Sequence, residues 1–365
     1  MSRWEPAQPF SGRFWRRPTT VFATGLLSVS CALAQVSVVI LKPNGSTQSR
    51  ALGVSGNSQV GNASFFGPDH AGLWNGNAGS WTDLAPPGSQ ISEALGVGLD
   101  QQVGQATFDS VQHASLWTGT AESWIDLDPT SGFGSQAIAT DGTHQAGYIG
   151  GHAALWSGTA NSMIDLNPHE LWTSQANGVD GDEQVGTVYP DTGPWRAALW
   201  KGSAESFVNL HPAGTVASEA YSVHGGQQVG QIITNTGHME AGLWSGTAES
   251  WVDLDPGGRY SRGFGTDGTH QVGVVLPTSG FSYAALWTGT RESILNLGQF
   301  LPSEYNASLA HSVWTNGETT YIVGWAAQYG REDAVMWIVP EPASTLVIGV
   351  SLGALLACRR KRSRR

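Results

Sequence analysis

Trp recurs at positions 74, 117, 156, 200, 244, 287 and 337, in steps of 43, 39, 44, 44, 43 and 50 residues. Each Trp closes one copy of a unit best seen in His113–Leu127, HASLWTGTAESWIDL, and in Glu240–Leu254, EAGLWSGTAESWVDL. A fixed period of this length restricts the chain to architectures built from stacked copies of one supersecondary element. Each copy reads as four short strands. The first holds a Ser-x-Ala pair, such as Ser92/Ala94 or Ser218/Ala220. The second ends in Gln-Val-Gly or a near variant, as at Gly61, Gly104 and Gly230. In six copies the Ala (or Gly263) lies ten residues before that Gly, across a turn such as Asp141-Gly142, which reads as a tight hairpin. The third strand is His-Ala-x-Leu-Trp, and the fourth is Trp-Ile-Asp-Leu, rich in β-branched and aromatic residues.

Strands one to three occur seven times, but an internal fourth strand occurs only six times, at Trp81, Trp124, Met163, Phe207, Trp251 and Ile294. The missing copy is at the other end of the chain. Val38-Val39-Ile40-Leu41-Lys42-Pro43 has the pattern of Trp124-Ile125-Asp126-Leu127-Asp128-Pro129. A ring whose first strand completes its last sheet leaves no open edge. The fold expected is therefore all-β, a seven-bladed β-propeller of four-stranded blades over residues 35–338, closed by the N-terminal strand. An open solenoid would leave Val38–Leu41 unpaired and would need polar caps.

The two ends read as addresses. In residues 1–34, Arg13, Arg16 and Arg17 precede the apolar run Val21–Leu33, and Ala32-Leu33-Ala34 before Gln35 is a signal-peptidase site. A twin-arginine signal at Arg16-Arg17 and a lipoprotein anchor at Cys31 fit the flanking residues less well. Residues 339–365 hold Val339-Pro340-Glu341-Pro342, then 16 uncharged residues, Ala343–Cys358, then a basic tail from Arg359. As a helix that run is short for a bilayer, but flanking arginines can snorkel. Ten of the 18 basic residues lie in these ends, so residues 35–342 keep eight against 28 acids, a net charge of −20. Such a surface argues against binding nucleic acid or an anionic membrane. With both Cys residues in the ends, the body has no disulfide and depends on blade packing.

The order Pro-Glu-Pro, apolar run, basic tail resembles the PEP-CTERM sorting signal of Gram-negative bacteria that make exopolysaccharide. That resemblance implies recognition of Pro340-Glu341-Pro342 by an exosortase-like enzyme, transient membrane anchoring and removal of the tail. The repeated order His-Ala-x-Leu-Trp, Asp-Leu, Ser-x-Ala, Val-Gly resembles the extracellular HAF repeat, although Gly72, Ser115, Ala154, Ala198, Gly242 and Ala285 stand where that repeat has Phe. It implies an extracellular location and propeller geometry, and no particular activity.

Function must then come from sites. No G-x-S-x-G, folded-body Cys or sialidase box is present, so no catalytic residue and no cofactor is assigned. His70, His113 and His152 share one repeat position, but Arg196, Glu240, Tyr283 and Asp333 fill it elsewhere, so no metal site is expected there. Asp180-Gly181-Asp182-Glu183 reads as a hairpin turn rather than a calcium loop. The segments after strands two and four vary between copies and are rich in aromatics. Trp172, Tyr189 and Trp195, with Glu170 and Asp191 nearby, are the candidate ligand anchors on that variable face. The expected role is an exported, surface- or matrix-associated, non-catalytic protein that binds polysaccharide or a surface protein partner. The alternative is a secreted hydrolase or lyase using acids from different blades.

Overall fold

The computed structural model describes Met1 and residues 35–128, 132–170 and 172–341. Ala34, Pro342 and most of both terminal segments lie outside the described residues, as does the expected span Ala343–Cys358. Among the described residues no helix is long and apolar enough to cross a membrane.

Seven four-stranded antiparallel sheets form the ring of a seven-bladed propeller, numbered 1 to 7 by their innermost strands Gln48–Ser55, Ile91–Gly98, Ser135–Thr140, Thr173–Asp180, Ala217–His224, Tyr260–Thr266 and Ala307–Thr315. Blade 2 shows the unit, with strands a to d running outward from the axis: Ile91–Gly98, Gln101–Phe108, Val111–Trp117 and Ile125–Asp126. The outer strand is shorter than Trp-Ile-Asp-Leu suggests. Ser123 takes the N–H of Thr118 and donates to the carbonyl of Thr120, which commits Ala121–Ser123 to a 3-10 turn capped by Trp124. Pairing begins only at Ile125.

Blade 7 closes as the strand count requires. Its strands a to c are Ala307–Thr315, Thr319–Gln328 and Arg331–Pro340, and its outer strand is Ser37–Ile40 from the other end of the chain. Val38 lies opposite Trp337 and Ile40 opposite Val335. Leu41 continues the contact through its N–H to the Ala334 carbonyl, 2.8 Å away.

Three repeated devices hold the blades. All seven sheet Trp side chains are fully buried, and each packs against residues of its own and the preceding blade. Trp117, for example, joins Val60, Leu73 and Leu84 of blade 1 to Ala94 and Val97 of blade 2. The Ser of each Ser-x-Ala pair clasps one blade to the one before. Ser92, Ser135, Ser174, Ser218, Ser261 and Ser308 each accept the N–H of an Ala in the previous strand c, and Ser49 accepts that of Ala334 across the closure. These amides are buried, so an unmet donor there would cost about 1–3 kcal/mol. Thirdly, the Gln that opens strand b pins the c–d turn, as Gln102 Oε1 does by accepting from Gly119 N at 2.7 Å. Blade 7 has Ile322 at this place, opposite Trp337, and no c–d turn. There the Thr320 hydroxyl donates to Glu341, whose carboxylate also lies 3.4 Å from His270 Nε2 of blade 6.

Strand a is not a plain strand. In every blade its register slips by one residue just after the Ala, as between Ala94 and Gly96. A β-bulge turns the extra side chain out of the ladder. It also brings the strand a backbone onto the Gly of Gln-Val-Gly. A Cβ on Gly104 would lie 1.9 Å from the Glu93 carbonyl oxygen, and the six equivalent glycines are as tight.

Candidate functional site: the central channel

The seven inner strands surround a cavity of about 450 Å³ on the ring axis. Two positions of each strand a face the axis, and they are the positions that vary inside the repeated frame. The first lies between Ser and Ala: Arg50, Glu93, Gln136, Gln175, Glu219, Arg262 and Leu309. It forms the mouth on the side of the variable loops. The second is the bulged residue: Leu52, Leu95, Ile138, Asn177, Tyr221, Phe264 and His311, all of which line the cavity.

This inner belt has two halves. Leu52, Leu95 and Ile138 make an aliphatic wall from blades 1 to 3. Facing it, Tyr221, Phe264 and His311 make an aromatic wall from blades 5 to 7. The Tyr221 and Phe264 rings are 5.4 Å apart, and His311 stacks on Phe264 at 5.2 Å with 29° between planes. Burial, with Arg50 nearby, pushes the His311 pKa down to about 4, so it is a neutral ring at ordinary pH. Asn177 sits between the halves with both amide ends used, donating to the Ala220 carbonyl and accepting from Gln175.

The mouth is polar and internally tied. Glu219 accepts from the Tyr221 hydroxyl and from Gln231. Burial and the Glu219 charge push the Tyr221 pKa up, so its hydroxyl stays a donor. Three blades away, Gln136 donates to Gln105, which donates to Glu93 at 2.7 Å. Burial, then the Asp69 charge, raises the Glu93 pKa. Arg50 is paired with Glu332.

The loop anchors expected from the sequence divide. Tyr189 and Trp195 come together, with ring centroids 6.4 Å apart. They stand beside the mouth, because the Trp195 carbonyl accepts the N–H of Ser218, next to Glu219. Burial and the Glu219 charge both raise the Tyr189 pKa. Trp195 is 42 % exposed. Trp172 instead packs on the core between blades 3 and 4, stacked on His169 at 5.3 Å. Glu170 and Asp191 are exposed. His70, His113 and His152 each pair with an Asp of their own blade, at 2.8, 2.9 and 2.8 Å. Because the aromatic-rich loops carry the more conspicuous signal, the channel residues are not among the anchors expected from the sequence. Their signal was present, as two variable positions inside the otherwise repeated Ser-x-Ala strand.

Chemically, the channel offers flat apolar walls for a ring and a mouth of amides and carboxylates for hydroxyl groups. Its Ser222 and Ser312 hydroxyls accept backbone N–H groups of neighbouring blades, from Thr266 and Val54. Neither has a hydrogen bond to a His among the described residues.

No family model matches the chain, and no curated protein matches it in sequence. Solved propellers match in fold. A puromycin hydrolase mutant aligns with TM-score 0.52 at 10% identity, over 78% of this chain and 53% of its own. This chain thus spans about half of that protein. The β-propeller domain of the Trilobed protease from Pyrococcus furiosus aligns with TM-score 0.51 at 9% identity, over 80% and 94% of the two chains. Oligogalacturonate lyase from Vibrio parahaemolyticus aligns with TM-score 0.50 at 9% identity, over 83% and 92%. At such identities the likeness is one of fold. The Pyrococcus domain is described as having an open velcro topology, whereas here the first strand is zipped to the last sheet.

Proposed function

We propose that this is an exported, non-catalytic binding protein of the cell surface or matrix, which holds a sugar residue of a polysaccharide at the channel mouth. The observation that carries this is a path of two aromatic pairs, Trp195 with Tyr189 at the rim and Tyr221 with Phe264 inside, on either side of Glu219, with Gln175 at the mouth. Aromatic faces give a sugar ring apolar area at little entropic cost, and the polar mouth supplies hydroxyl partners. The carboxylate in this path is already engaged by Tyr221 and Gln231, which suits positioning more than proton transfer. A glycan array combined with a reducing-end assay tests it. Retention of a polysaccharide without new reducing ends is expected; release of reducing ends would favour the second reading.

That second reading is hydrolysis or lysis of the same polymer. It is favoured by Glu93, whose raised pKa would suit a general acid facing Glu219 across the ring.

The sequence patterns at the two ends support a role outside the cytoplasm. Signal peptidase would cut between Ala34 and Gln35, and an exosortase-like enzyme would read Pro340-Glu341-Pro342. Glu341 is itself held on the last blade by Thr320. Intact mass of protein from its native host should begin at Gln35 and lack Arg359–Arg365. A mature form that keeps the basic tail would contradict sorting and leave a plain membrane anchor.

A further inference from the structure

Blade 5 departs from its neighbours where its outer strands meet the connection to blade 6. In blades 1 to 3 the register position held here by Glu240 is a His paired with one Asp. Blade 5 instead puts an acid there, next to a second acid. Asp255 is only 5% exposed and is held from two sides, its Oδ1 by the Ser261 hydroxyl at 2.6 Å and its Oδ2 by the Gly257 N–H at 3.0 Å. His238 completes the group. Donor atoms of His238, Glu240 and Asp255 all lie within 4.8 Å of one another.

The orientation of His238 is informative. Its Nε2 lies 3.0 Å from the Gly258 carbonyl oxygen, which can only accept, so Nε2 carries a hydrogen. In a neutral imidazole the lone pair is then on Nδ1, which lies 3.3 Å from Glu240 Oε1. A lone pair facing carboxylate oxygens is repulsive, and the contact is relieved either by a proton on Nδ1, making an imidazolium that donates to Glu240, or by a metal cation between them. A ring N–H fixed on a backbone carbonyl, with the other nitrogen turned to carboxylates, is the arrangement that orients a metal-ligating His. The nearby arginines do not supply the missing charge. Arg291 pairs with Asp253, and Arg262 turns to the Met239 sulfur at 3.0 Å and to the Tyr260 ring.

We propose that His238 Nδ1, Glu240 and Asp255 bind a divalent first-row cation of the Zn²⁺ or Mn²⁺ class, tying strand c of blade 5 to its connection with blade 6. One nitrogen and two carboxylates suit such an ion, with water in its remaining positions. No ligand spacing marks these residues in the chain, because His238 lies outside the repeated His register and Asp255 is 17 residues further on.

Isothermal titration of the metal-stripped full-length protein with ZnCl₂ and with MnCl₂ tests this. One saturable site is expected for at least one ion, with proton release if the resting His238 is protonated. Glu240→Gln and His238→Ala should each weaken it about 10-fold or more, while His70→Ala leaves it unchanged. Circular dichroism of each variant checks the fold. Glu240→Gln keeps the size of the side chain, so it separates lost ligation from lost structure. No saturable heat with either ion would overturn the proposal. So would binding that survives both variants, or an imidazolium at His238 by NMR at pH 7 that neither ion displaces.

Discussion

A protein lacking residues 35–43 should melt at least ~10 °C lower than the intact chain and should aggregate on heating. The deletion removes the outer strand of blade 7, whose Val38 and Ile40 pack on the core around Trp337. It also removes Leu41, fully buried in the adjoining core beside Trp74 and Met336. Loss of one buried Leu side chain alone costs about 2–5 kcal/mol. In a domain of this size each kcal/mol shifts the melting temperature by about 2–4 °C. Lys42 leaves too, and with it the 2.6 Å ion pair to Asp333, a lesser term for a partly exposed pair. The larger consequence is topological. Arg331–Pro340 becomes a ten-residue edge with unpaired N–H and C=O groups, a template for another chain. Differential scanning calorimetry with light scattering reads both effects. An unchanged melting temperature would mean that the ring does not depend on its closing strand.

Much of this fold could be read in the chain because its parts repeat. Seven Trp residues marked the blades, and a missing fourth strand pointed to Val38–Leu41 as the closure. The bulge was written there as well, in a less obvious form. Ala94 and Gly104 are separated by nine residues, an odd number, whereas a two-residue hairpin pairs residues across an even one. One residue had to leave the ladder, and that residue lines the channel. The site stayed hidden because its signal is variation, and variation in loops is easier to notice. Trp172 offers the large apolar area expected of an anchor, yet that same area turns it onto the core. Tyr189 and Trp195 could be picked from sequence, but not their place beside Glu219, which depends on how blades 4 and 5 meet.

The second large effect concerns the channel. Phe264→Ala removes the central ring of the aromatic wall and should abolish retention of the bound polysaccharide, because neither Tyr221 nor His311 then has a partner to complete the wall. Fold should survive, since Phe264 faces the cavity and lies outside the inter-blade cores. Phe66→Ala is the control. This side chain is 91% exposed on a loop of blade 1, and its loss should change neither fold nor retention.

Affinity electrophoresis in gels cast with the highest-scoring polysaccharide from the array tests the channel assignment most directly. The intact protein and Phe66→Ala should be retarded alike. Phe264→Ala should run as it does in an empty gel, with its far-UV circular dichroism unchanged. Full retardation of a folded Phe264→Ala protein would contradict the channel as the binding site.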